Sequence, residues 1–408
     1  MGLKKSTTRQ LRLSNRTTLL KKIYFNNPIS RLELSSMTEL SPATATNVTG
    51  EFLEEGLVIE SGSIESEGGR PRTLLKVNPS HAYLIGIDVG ETCIKSDLFD
   101  LSLQHLATVD RQLGKTENQP DQVVDQIVES VEELLSHSKK KSAEVLGVGI
   151  GFPGLVDPEA GISIFAPNWG WHDIPLSNIL EARLKLPIAI DNGAKAMALA
   201  ESMFGGGQGV DSLAVLLVGT GIGAGIIEGD SLYRGAMNSA GELGHTTLEI
   251  NGRTCRCGRK GCLEAYAGAA GIISRYLEQS GKTLSDISGD QKEMVSQIIK
   301  DAEKGDQIAR RVIEDTVEYL LVGIGNLINM VNPQKILLGG WVGMMLADKI
   351  LPVLSTRISD YALQQPSSKT EFGLCQLKDE TVAQGAATLI LEKFFEAGGR
   401  PLTIQHME

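Results

Sequence analysis

Hydrophobic residues near the start of the chain recur at helical spacing. Leu19, Leu20, Ile23, Tyr24 and Phe25 form an apolar stripe among polar neighbours. Such a stripe predicts an amphipathic helix whose apolar face is buried against other elements.

Helix-start signals follow this first stripe. Pro28 ends the first helix, and Ser30 is placed to cap a short second helix over residues 30 to 38. Leu40-Ser41-Pro42 predicts a further start, since serine is a preferred N-cap residue and proline is tolerated at the first helical position.

The third predicted helix runs from Pro42 to about Glu55, where Gly56 stops it. Its inward face is apolar and consists of Ala45, Val48, Phe52 and Leu53. The opposite face, near the N-terminal end, carries Ala43, Thr44 and Asn47. This is the geometry of a recognition helix, which presents residues of its N-terminal turns to base edges in the major groove.

A β-hairpin is predicted next. Leu57 to Ile59 and Thr73 to Val77 have strand character and flank the polar, glycine-rich stretch Ser61 to Gly69. The exit segment contains Arg70 and Arg72 around a proline, and a narrow cationic segment suits an A·T-rich minor groove. An interdomain linker with incidental arginines is the alternative interpretation. Three helices and a hairpin predict a winged helix-turn-helix over residues 1–80.

From Tyr83 onward, strands and helices alternate, which is typical of an α/β fold. The predicted elements are strands Tyr83 to Val89 and Cys93 to Phe99, helix Val123 to Leu135, and strands Val145 to Ile150, Leu213 to Val218 and Lys335 to Leu338. Three glycine-containing turns follow strands in this order: Gly90-Glu91-Thr92, Gly219-Thr220-Gly221-Ile222-Gly223 and Gly339-Gly340. Each turn alone is weak evidence, but three in this order and spacing are considerably stronger. The first, which Asp88 precedes, looks like the first phosphate loop of the sugar kinase, actin and heat-shock ATPase superfamily.

Charge is distributed unevenly along the 408 residues. The formal net charge of −11 excludes a protein that binds nucleic acid over its whole surface. Residues 1 to 31, however, contain eight lysines and arginines and no acid, so this end is +8 and the remainder is −19. The asymmetry predicts a separate basic module. A solvated basic tail is the alternative, and the helical pattern described above disfavours it.

Composition narrows the class of protein further. A hydrophobic content of 41% over this length predicts two or three globular domains. No run approaches twenty apolar residues and the N-terminus lacks a secretory apolar segment, so we expect a cytoplasmic protein with no membrane contact. Five cysteines, three of them between Cys255 and Cys262, favour a reducing compartment and a metal site over a disulfide framework.

The densest chemical motif is Cys255-Arg256-Cys257-Gly258-Arg259-Lys260-Gly261-Cys262-Leu263-Glu264, with His245 upstream. Zinc favours four tetrahedral thiolate and imidazole ligands, so His245, Cys255, Cys257 and Cys262 are predicted to hold one structural zinc ion. Three reduced core cysteines are the alternative. The loop's cationic, glycine-punctuated sequence is expected to be unsuited to burial, and its positive charges are expected to favour thiolates.

These motifs together resemble the ROK family (repressors, open reading frames, kinases), in particular its XylR/NagC-type repressors. The matching segments beyond the winged helix are Asp88-Val89-Gly90-Glu91-Thr92, Gly151-Phe152-Pro153-Gly154, Glu242-Leu243-Gly244-His245, the cysteine motif, and Asn332-Pro333 leading into Gly339-Gly340. The resemblance implies a winged helix-turn-helix followed by a two-lobed sugar-kinase/actin-like (ribonuclease H-like) ATPase fold. The expected lobes are residues 81–192 with about 385–408, and residues 193–384 with the zinc knuckle and a dimerisation surface.

The resemblance also implies a sugar pocket. Glu242, His245 and Glu264 match positions that hold sugar hydroxyls in the family, and carboxylates suit vicinal diols as paired acceptors. Binding zinc would fix the His245 ring and leave its other nitrogen to face the sugar. Asn168 and Asn192 resemble further sugar contacts, although a lone asparagine is more often a turn residue.

Two departures from the family's kinases predict the loss of catalysis. The kinases have Asn-Asp-Ala where this chain has Asn192-Gly193-Ala194, so the general base is replaced by Gly193, and Asp191 is expected to point elsewhere. A missing base costs typically about 10²- to 10⁴-fold in rate. Glu91 replaces the usual glycine of the first phosphate turn, and its carboxylate is expected to face the triphosphate.

The sequence therefore predicts a DNA-binding transcriptional repressor of carbohydrate-metabolism genes that is not an enzyme and requires no nucleotide. Its expected partners are operator DNA, a sugar effector bound between the lobes, and a second copy in a homodimer or higher oligomer. An active sugar kinase with a regulatory N-terminus is one alternative, and residue 193 discriminates the two. A regulator controlled by a protein partner is another, and the retained Glu242, His245 and Glu264 speak against it.

Overall fold

The computed structural model describes residues 8–66, 69–114, 118–287, 289–377 and 381–404. The side chains of residues 66–70, and with them the predicted DNA contact of Arg70, lie outside the described part.

The elements alternate along the chain after an all-helical start. The helices are α1 (Thr8–Phe25), α2 (Arg31–Thr38), α3 (Pro42–Glu54), α4 (Pro120–Ser138), α5 (Leu176–Leu184), α6 (Gly193–Phe204), α7 (Glu264–Ala267), α8 (Ala269–Ser280), α9 (Gln291–Glu303), α10 (Gln307–Val331), α11 (Trp341–Met345), α12 (Ala347–Arg357), α13 (Gln364–Ser367) and α14 (Thr381–Glu396). The strands are β1 (Ile29–Ser30), β2 (Val58–Ser66), β3 (Gly69–Val77), β4 (Tyr83–Val89), β5 (Cys93–Asp100), β6 (His105–Gln112), β7 (Val145–Phe152), β8 (Leu155–Asp157), β9 (Ile162–Ala166), β10 (Trp171–Ile174), β11 (Ile188–Asn192), β12 (Ser212–Val218), β13 (Ile222–Glu228), β14 (Ser231–Leu232), β15 (Lys335–Gly339) and β16 (Glu371–Leu374).

The N-terminal unit, residues 8–77, has the predicted helix starts. Ser30 and Glu33 form a reciprocal capping box at α2, and the Ser41 hydroxyl accepts a bond from the Thr44 N–H at the start of α3. Gly56 follows α3 with a φ of +70°, a conformation that glycine adopts without strain.

The hairpin of this unit is longer than predicted. β2 and β3 pair as far as Ser66 opposite Gly69, and Arg72 lies opposite Ile64. The segment around Arg72 is therefore part of a strand, and the linker interpretation is wrong. β1 adds to the free edge of β3, which gives the order β1-β3-β2.

Two five-stranded sheets form the body of the molecule. The first sheet has the order β11-β7-β4-β5-β6, with β4, β7 and β11 parallel. The second sheet has the order β14-β13-β12-β15-β16, with β12, β15 and β16 parallel. A small antiparallel sheet, β8-β9-β10, lies beside the first one. The predicted two-lobed α/β fold is confirmed, whereas the predicted domain boundaries stay predictions.

Helices α6 and α14 form a layer between the sheets. α14 packs on β4 and β7 of the first sheet, α6 packs on β12 and β13 of the second, and the two helices pack on each other. The approach is very close, because a Cβ on Gly86 or Gly149 would lie 1.9 or 1.8 Å from carbonyl oxygens of α14. Only glycine permits this packing at those two strand positions.

The N-terminal unit is docked on the same helical layer. The Thr17 hydroxyl donates to the Phe395 carbonyl of α14 at 2.8 Å. The Tyr24 ring meets Phe395 edge-on at 5.0 Å between centroids, and Phe25 stacks on Phe204, the last residue of α6, at 5.8 Å. In the part of the chain that is described, no helix is long and apolar enough to cross a bilayer.

Arg16 of α1 is the most deeply buried charge in this docking region, with 1% of its surface exposed. Its guanidinium donates to Glu51 at 2.7 Å, to Glu55 at 2.6 Å and to the Gly398 carbonyl at 2.9 Å, and lies over the Phe52 ring. One side chain thereby ties α1 to α3 and to the C-terminal segment.

We expect Arg16→Met to lower the free energy of opening of α1 and α3 by about 2–4 kcal/mol, because methionine fills the space but removes the buried charge that bonds to Glu51, Glu55 and the Gly398 carbonyl. Native-state hydrogen exchange of the amides of these helices measures this free energy. Arg12→Met is the matched control, since Arg12 also pairs with Glu51 but is 61% exposed. Its effect is expected below about 1 kcal/mol. Equal effects of the two variants contradict the assignment.

Candidate effector pocket and metal cluster

The predicted site residues gather where strand ends of the first sheet face a turn of the second. The carboxyl ends of the parallel strands β4, β7 and β11 open on one edge, the place where α/β folds usually bind ligands. The turn Gly90-Glu91-Thr92 follows β4, and Asn192 ends β11. The turn at residues 219–221 and the cysteine loop, residues 245–264, approach this edge from the other side.

The four predicted metal ligands form one cluster. One ligand atom each from His245, Cys255, Cys257 and Cys262 lies within 4.8 Å of all the others. The Cys257 and Cys262 sulfurs are 3.8 Å apart, and Cys255 Sγ is 3.8 Å from His245 Nδ1. A tetrahedral metal with bonds to sulfur of about 2.3 Å sets two sulfurs about 3.8 Å apart. The group therefore can hold a metal ion.

The backbone of the cysteine loop produces this convergence. Isolated β-bridges join Thr247 to Cys262 and Thr254 to Lys260. Gly261 has a φ of +79°, and a Cβ there would lie 1.8 Å from the Glu249 carbonyl oxygen. A glycine is therefore required at position 261, where the returning chain passes close to the Glu249 carbonyl.

Two cysteines of the loop are more buried than the loop's sequence suggests. Cys255 and Cys262 are buried, with 3% and 0% exposed, because the loop folds over them while Arg259 and Lys260 remain outside. Burial also raises the pKa of both thiols. The positive charge of Arg256 does not offset this rise in the thiol pKa, since its guanidinium is bound to carboxylates. A coordinated cation would lower the pKa of these thiols and so favour their thiolate form.

Glu264 and Glu242 have different surroundings. Glu264 Oε2 accepts from the Ile222 N–H at 2.9 Å, and Oε1 accepts from Arg256 Nε at 2.9 Å. Burial raises the pKa of Glu242 to about 7, although the neighbouring Lys195 charge lowers it. Among the described residues no donor is hydrogen-bonded to the Glu242 carboxyl, so this group is available to a ligand, whereas Glu264 is occupied by Arg256.

Lys195 was missed by the sequence analysis. It is 2% exposed on α6, and its ammonium donates to the Asn238 carbonyl. The available signal was a lysine within the otherwise alanine-rich run of α6, where a buried charge requires a partner.

The two predicted asparagine contacts are held by the protein in this structure. Asn192 caps α6 by accepting from the Ala194 N–H, and it donates to the Gly154 carbonyl at 2.9 Å. A sugar contact from Asn192 requires one of these bonds to be released. The Asn168 amide lies against Glu91, whose pKa is raised by burial although Arg256 and the hydrogen bond from Asn168 act in the opposite direction. Its Oδ1 is buried without a hydrogen-bond partner among the described residues, so it is available to a donor hydroxyl.

The Asp191 carboxylate is engaged by other parts of the protein. It is fully buried and accepts from Arg234 at 2.5 Å and from Asn238 at 3.2 Å. Gly193 itself is not required by packing, because a Cβ there would meet only the Val382 side chain at 3.5 Å.

The Glu91 carboxylate, which is expected from the sequence to face a triphosphate, is engaged by the protein. It pairs with Arg256 of the cysteine loop. Arg256 Nη2 lies 2.8 Å from the position that a Cβ would take on Gly221, and the Trp341 indole lies 3.2 Å from the corresponding position on Gly219. Arg256 and Trp341 therefore cover the second glycine turn. The bulky Trp341 directly after Gly339-Gly340 was the sequence signal for this, and it was missed.

The residues predicted to contact DNA lie on the N-terminal unit. Ala43 and Asn47 of α3 and Arg72 of β3 are exposed. Thr44 is half-buried, and its hydroxyl shares a hydrogen bond with the Ser41 hydroxyl at 2.9 Å. Thr46 is exposed on the same helix and was not predicted.

Comparison with known proteins agrees with this arrangement. The ROK family model matches residues 84–393. The xylose repressor of Caldicellulosiruptor bescii is 33% identical over 396 residues, which span 93% of this chain and 96% of the relative.

Solved structures of both regulators and kinases are similar to this chain. A ROK family transcriptional regulator, a homolog of the E. coli MLC protein, matches with a TM-score of 0.80 at 28% identity, over 95% of this chain and 97% of that one. A ROK family glucokinase from Streptomyces griseus, in complex with glucose and AMPPNP, matches with a TM-score of 0.66 at 28% identity, over 76% of this chain and 99% of that one. With a family model that covers most of its length and a repressor relative that spans nearly all of it, this chain belongs to the ROK family.

Proposed function

We propose that this chain is a DNA-binding transcriptional repressor of carbohydrate-metabolism genes whose two-lobed body binds a sugar and does not phosphorylate it. The observation that carries the proposal is that side chains of the protein itself occupy the space at the two glycine-containing turns, residues 90–92 and 219–223, where a kinase would hold phosphate groups. Arg256 and Glu91 fill the space between the two glycine-containing turns, and Trp341 covers the second turn. The similarity to the xylose repressor, which extends through the N-terminal unit, supports the same function.

Catalysis is absent for a second, independent reason. Phosphoryl transfer to a sugar hydroxyl uses a base near the acceptor oxygen, and residue 193 offers no side chain. Asp191 does not replace it, since both carboxylate oxygens are engaged by Arg234 and Asn238. No nucleotide is required for binding without turnover.

The proposed effector is a sugar held by Glu242, His245 and Glu264, with Asn168 offering its unpartnered oxygen. Carboxylate and imidazole groups match the donor and acceptor pairs of vicinal hydroxyls. The name of the xylose repressor makes D-xylose the first sugar to test.

The proposed metal is a structural zinc ion on His245, Cys255, Cys257 and Cys262. Three thiolates and one imidazole in this geometry are a ligand set that zinc prefers, and no position remains for substrate. Nδ1 of His245 faces the cluster, which leaves Nε2 for the sugar. The metal thus fixes the loop that carries Glu264.

The proposed DNA-binding surface is α3 together with the β2–β3 hairpin. Asn47 and Ala43 are placed to meet base edges, and Arg72 to meet the minor groove or the phosphate backbone. We propose a homodimer or higher oligomer, because paired winged helices recognise two half-sites of a pseudopalindromic operator.

The purified chain is expected to contain one zinc ion, measured by elemental analysis after purification without chelator. Cys257→Ser is expected to lose the ion and, with it, sugar binding, because the pocket loop is no longer held. Cys93→Ser is the control, since Cys93 lies outside the cluster and should leave the zinc content unchanged. Zinc well below one per chain argues against the assignment.

The full-length chain is first used to select, from random sequences, a duplex that it binds. Asn47→Ala is expected to weaken binding to this selected duplex by about 1–3 kcal/mol, because asparagine makes paired bonds to adenine. Binding to unselected duplexes should change little. Asn26→Ala alters an exposed asparagine of the same unit away from α3 and is the control. Fluorescence anisotropy measures both affinities, and an equal loss on the two kinds of duplex rejects base recognition by Asn47.

A thermal-shift screen of monosaccharides and disaccharides should identify a stabilising sugar, because a ligand at about 100 times its Kd stabilises the native state by about 2.7 kcal/mol. Measured at about pH 8.5, above the Glu242 pKa of about 7, Glu242→Gln should weaken binding of that sugar about 10- to 100-fold, since a bond to a charged acceptor is lost. Glu371→Gln, an exposed carboxylate on β16, is the control.

A coupled assay with ATP and the same sugar should show no turnover, and the sugar should lower affinity for the selected duplex. Turnover of about 1 per second or more favours the alternative that the glucokinase likeness supports, a sugar kinase with a regulatory N-terminus. If no sugar changes DNA affinity, control by a protein partner is favoured.

A further inference from the structure

Arg256 stands between two cysteines of the metal cluster, so its backbone position is fixed by the loop. Its side chain is 28% exposed and reaches two carboxylates on different sides of the cleft. Nε donates to Glu264 at 2.9 Å, and Nη1 donates to Glu91. Glu91 belongs to the first sheet through the β4–β5 turn, whereas Glu264 begins α7 on the side of the second sheet. We call this three-residue arrangement the Arg256 bridge.

The bridge occupies an enclosed position. Glu264 keeps 8% and Glu91 21% of their side-chain surface exposed. Arg256 Nη2 and Glu264 Oε2 each lie 2.8 Å from the position that a Cβ would take on Gly221, so a side chain there would have to displace them. Bonds to both carboxylates hold the guanidinium between the two glycine-containing turns.

Charge makes the bridge a connection between the lobes. Glu91 and Glu264 repel each other, and Arg256 is the cation that both of them contact. Loss of Arg256 leaves two partly buried carboxylates facing each other across the cleft, which favours separation of the turns that carry them. The bridge thus stabilises the closed arrangement in the absence of a ligand.

We propose that Arg256 is an internal competitor of the effector: it occupies Glu264 and ties it to Glu91, and the sugar binds Glu264 by displacing it. This inference rests on the proposed sugar function of Glu264. Displacement removes the cation that joins Glu91 to Glu264, so sugar binding and release of this connection become one event; we call the state without the connection the open state. The ligand-free, bridged state is the one that binds operator, and its equilibrium with the open state couples the two sites.

Arg256→Gln is expected to shift that equilibrium towards the open state. With D-xylose as the probe, or the stabilising sugar from the screen if D-xylose does not bind, sugar affinity should rise about 5- to 20-fold. Affinity for the selected duplex without sugar should fall by a similar factor, the range of a typical allosteric coupling. Arg259→Gln makes the same change of charge on an exposed side chain of the same loop and should alter neither affinity. The zinc content of both variants should equal that of the wild type, which verifies the fold of the loop.

Glu91→Gln separates the two arms of the bridge. It removes the charged contact to the first sheet and leaves Arg256 on Glu264, so duplex affinity should fall while sugar affinity changes less than in Arg256→Gln. Hydrogen exchange of the ligand-free proteins gives a readout that needs no sugar. Amides of residues 90–92 and 219–222 should exchange faster in Arg256→Gln and Glu91→Gln than in Arg259→Gln.

The outcomes distinguish the bridge from the function on which it rests. If no sugar binds the wild-type chain, the proposed function fails, while hydrogen exchange still decides whether the bridge joins the lobes. If Arg256→Gln exchanges like Arg259→Gln, the bridge is overturned. If Arg256→Gln weakens sugar binding, Arg256 is a ligand of the sugar and not its competitor.

Discussion

The close packing of α14 is the constraint on which the rest of this structure depends. The helix lies against Gly86 and Gly149 of the first sheet and against α6, which in turn covers the second sheet. Its C-terminal end receives α1 of the N-terminal unit through Phe395. Because protein interiors are close-packed, a shift of either sheet must be accommodated by this helical layer or transmitted through it. One helix thereby connects both lobes and the N-terminal unit.

Helix α6 gives the pocket a physical route to the N-terminal unit. Asn192 caps its first turn beside the pocket, and Phe204 at its last turn stacks on Phe25 of α1. Spatial continuity alone does not establish coupling, which requires two states that both sites bias. The Arg256 bridge supplies a candidate for such a pair of states, since it is either formed between the lobes or displaced.

Under the proposed function, a few substitutions convert a kinase-like body into a receptor. In that proposal Glu242, Glu264 and His245 recognise sugar hydroxyls, and His245 belongs to the group that can hold a metal. Arg256 and Trp341 lie against the second glycine-containing turn. Because binding and chemistry would use different groups, the proposed loss of one leaves the other in place.

The sequence by itself determined the local features, because these depend on neighbouring residues. The Ser30 and Ser41 caps, the alternation of strands and helices, and the spacing of the four metal ligands all follow from short-range rules. Contacts between segments distant in sequence were decided only by the tertiary structure. Local spacing does not specify which carboxylate a long, flexible arginine reaches, so neither the burial of Arg16 nor the pairing of Arg256 with Glu91 across 165 residues was predicted. The burial of Cys255 was likewise set by how the loop folds onto its surroundings, since the exposure of a side chain depends on every segment that packs around it.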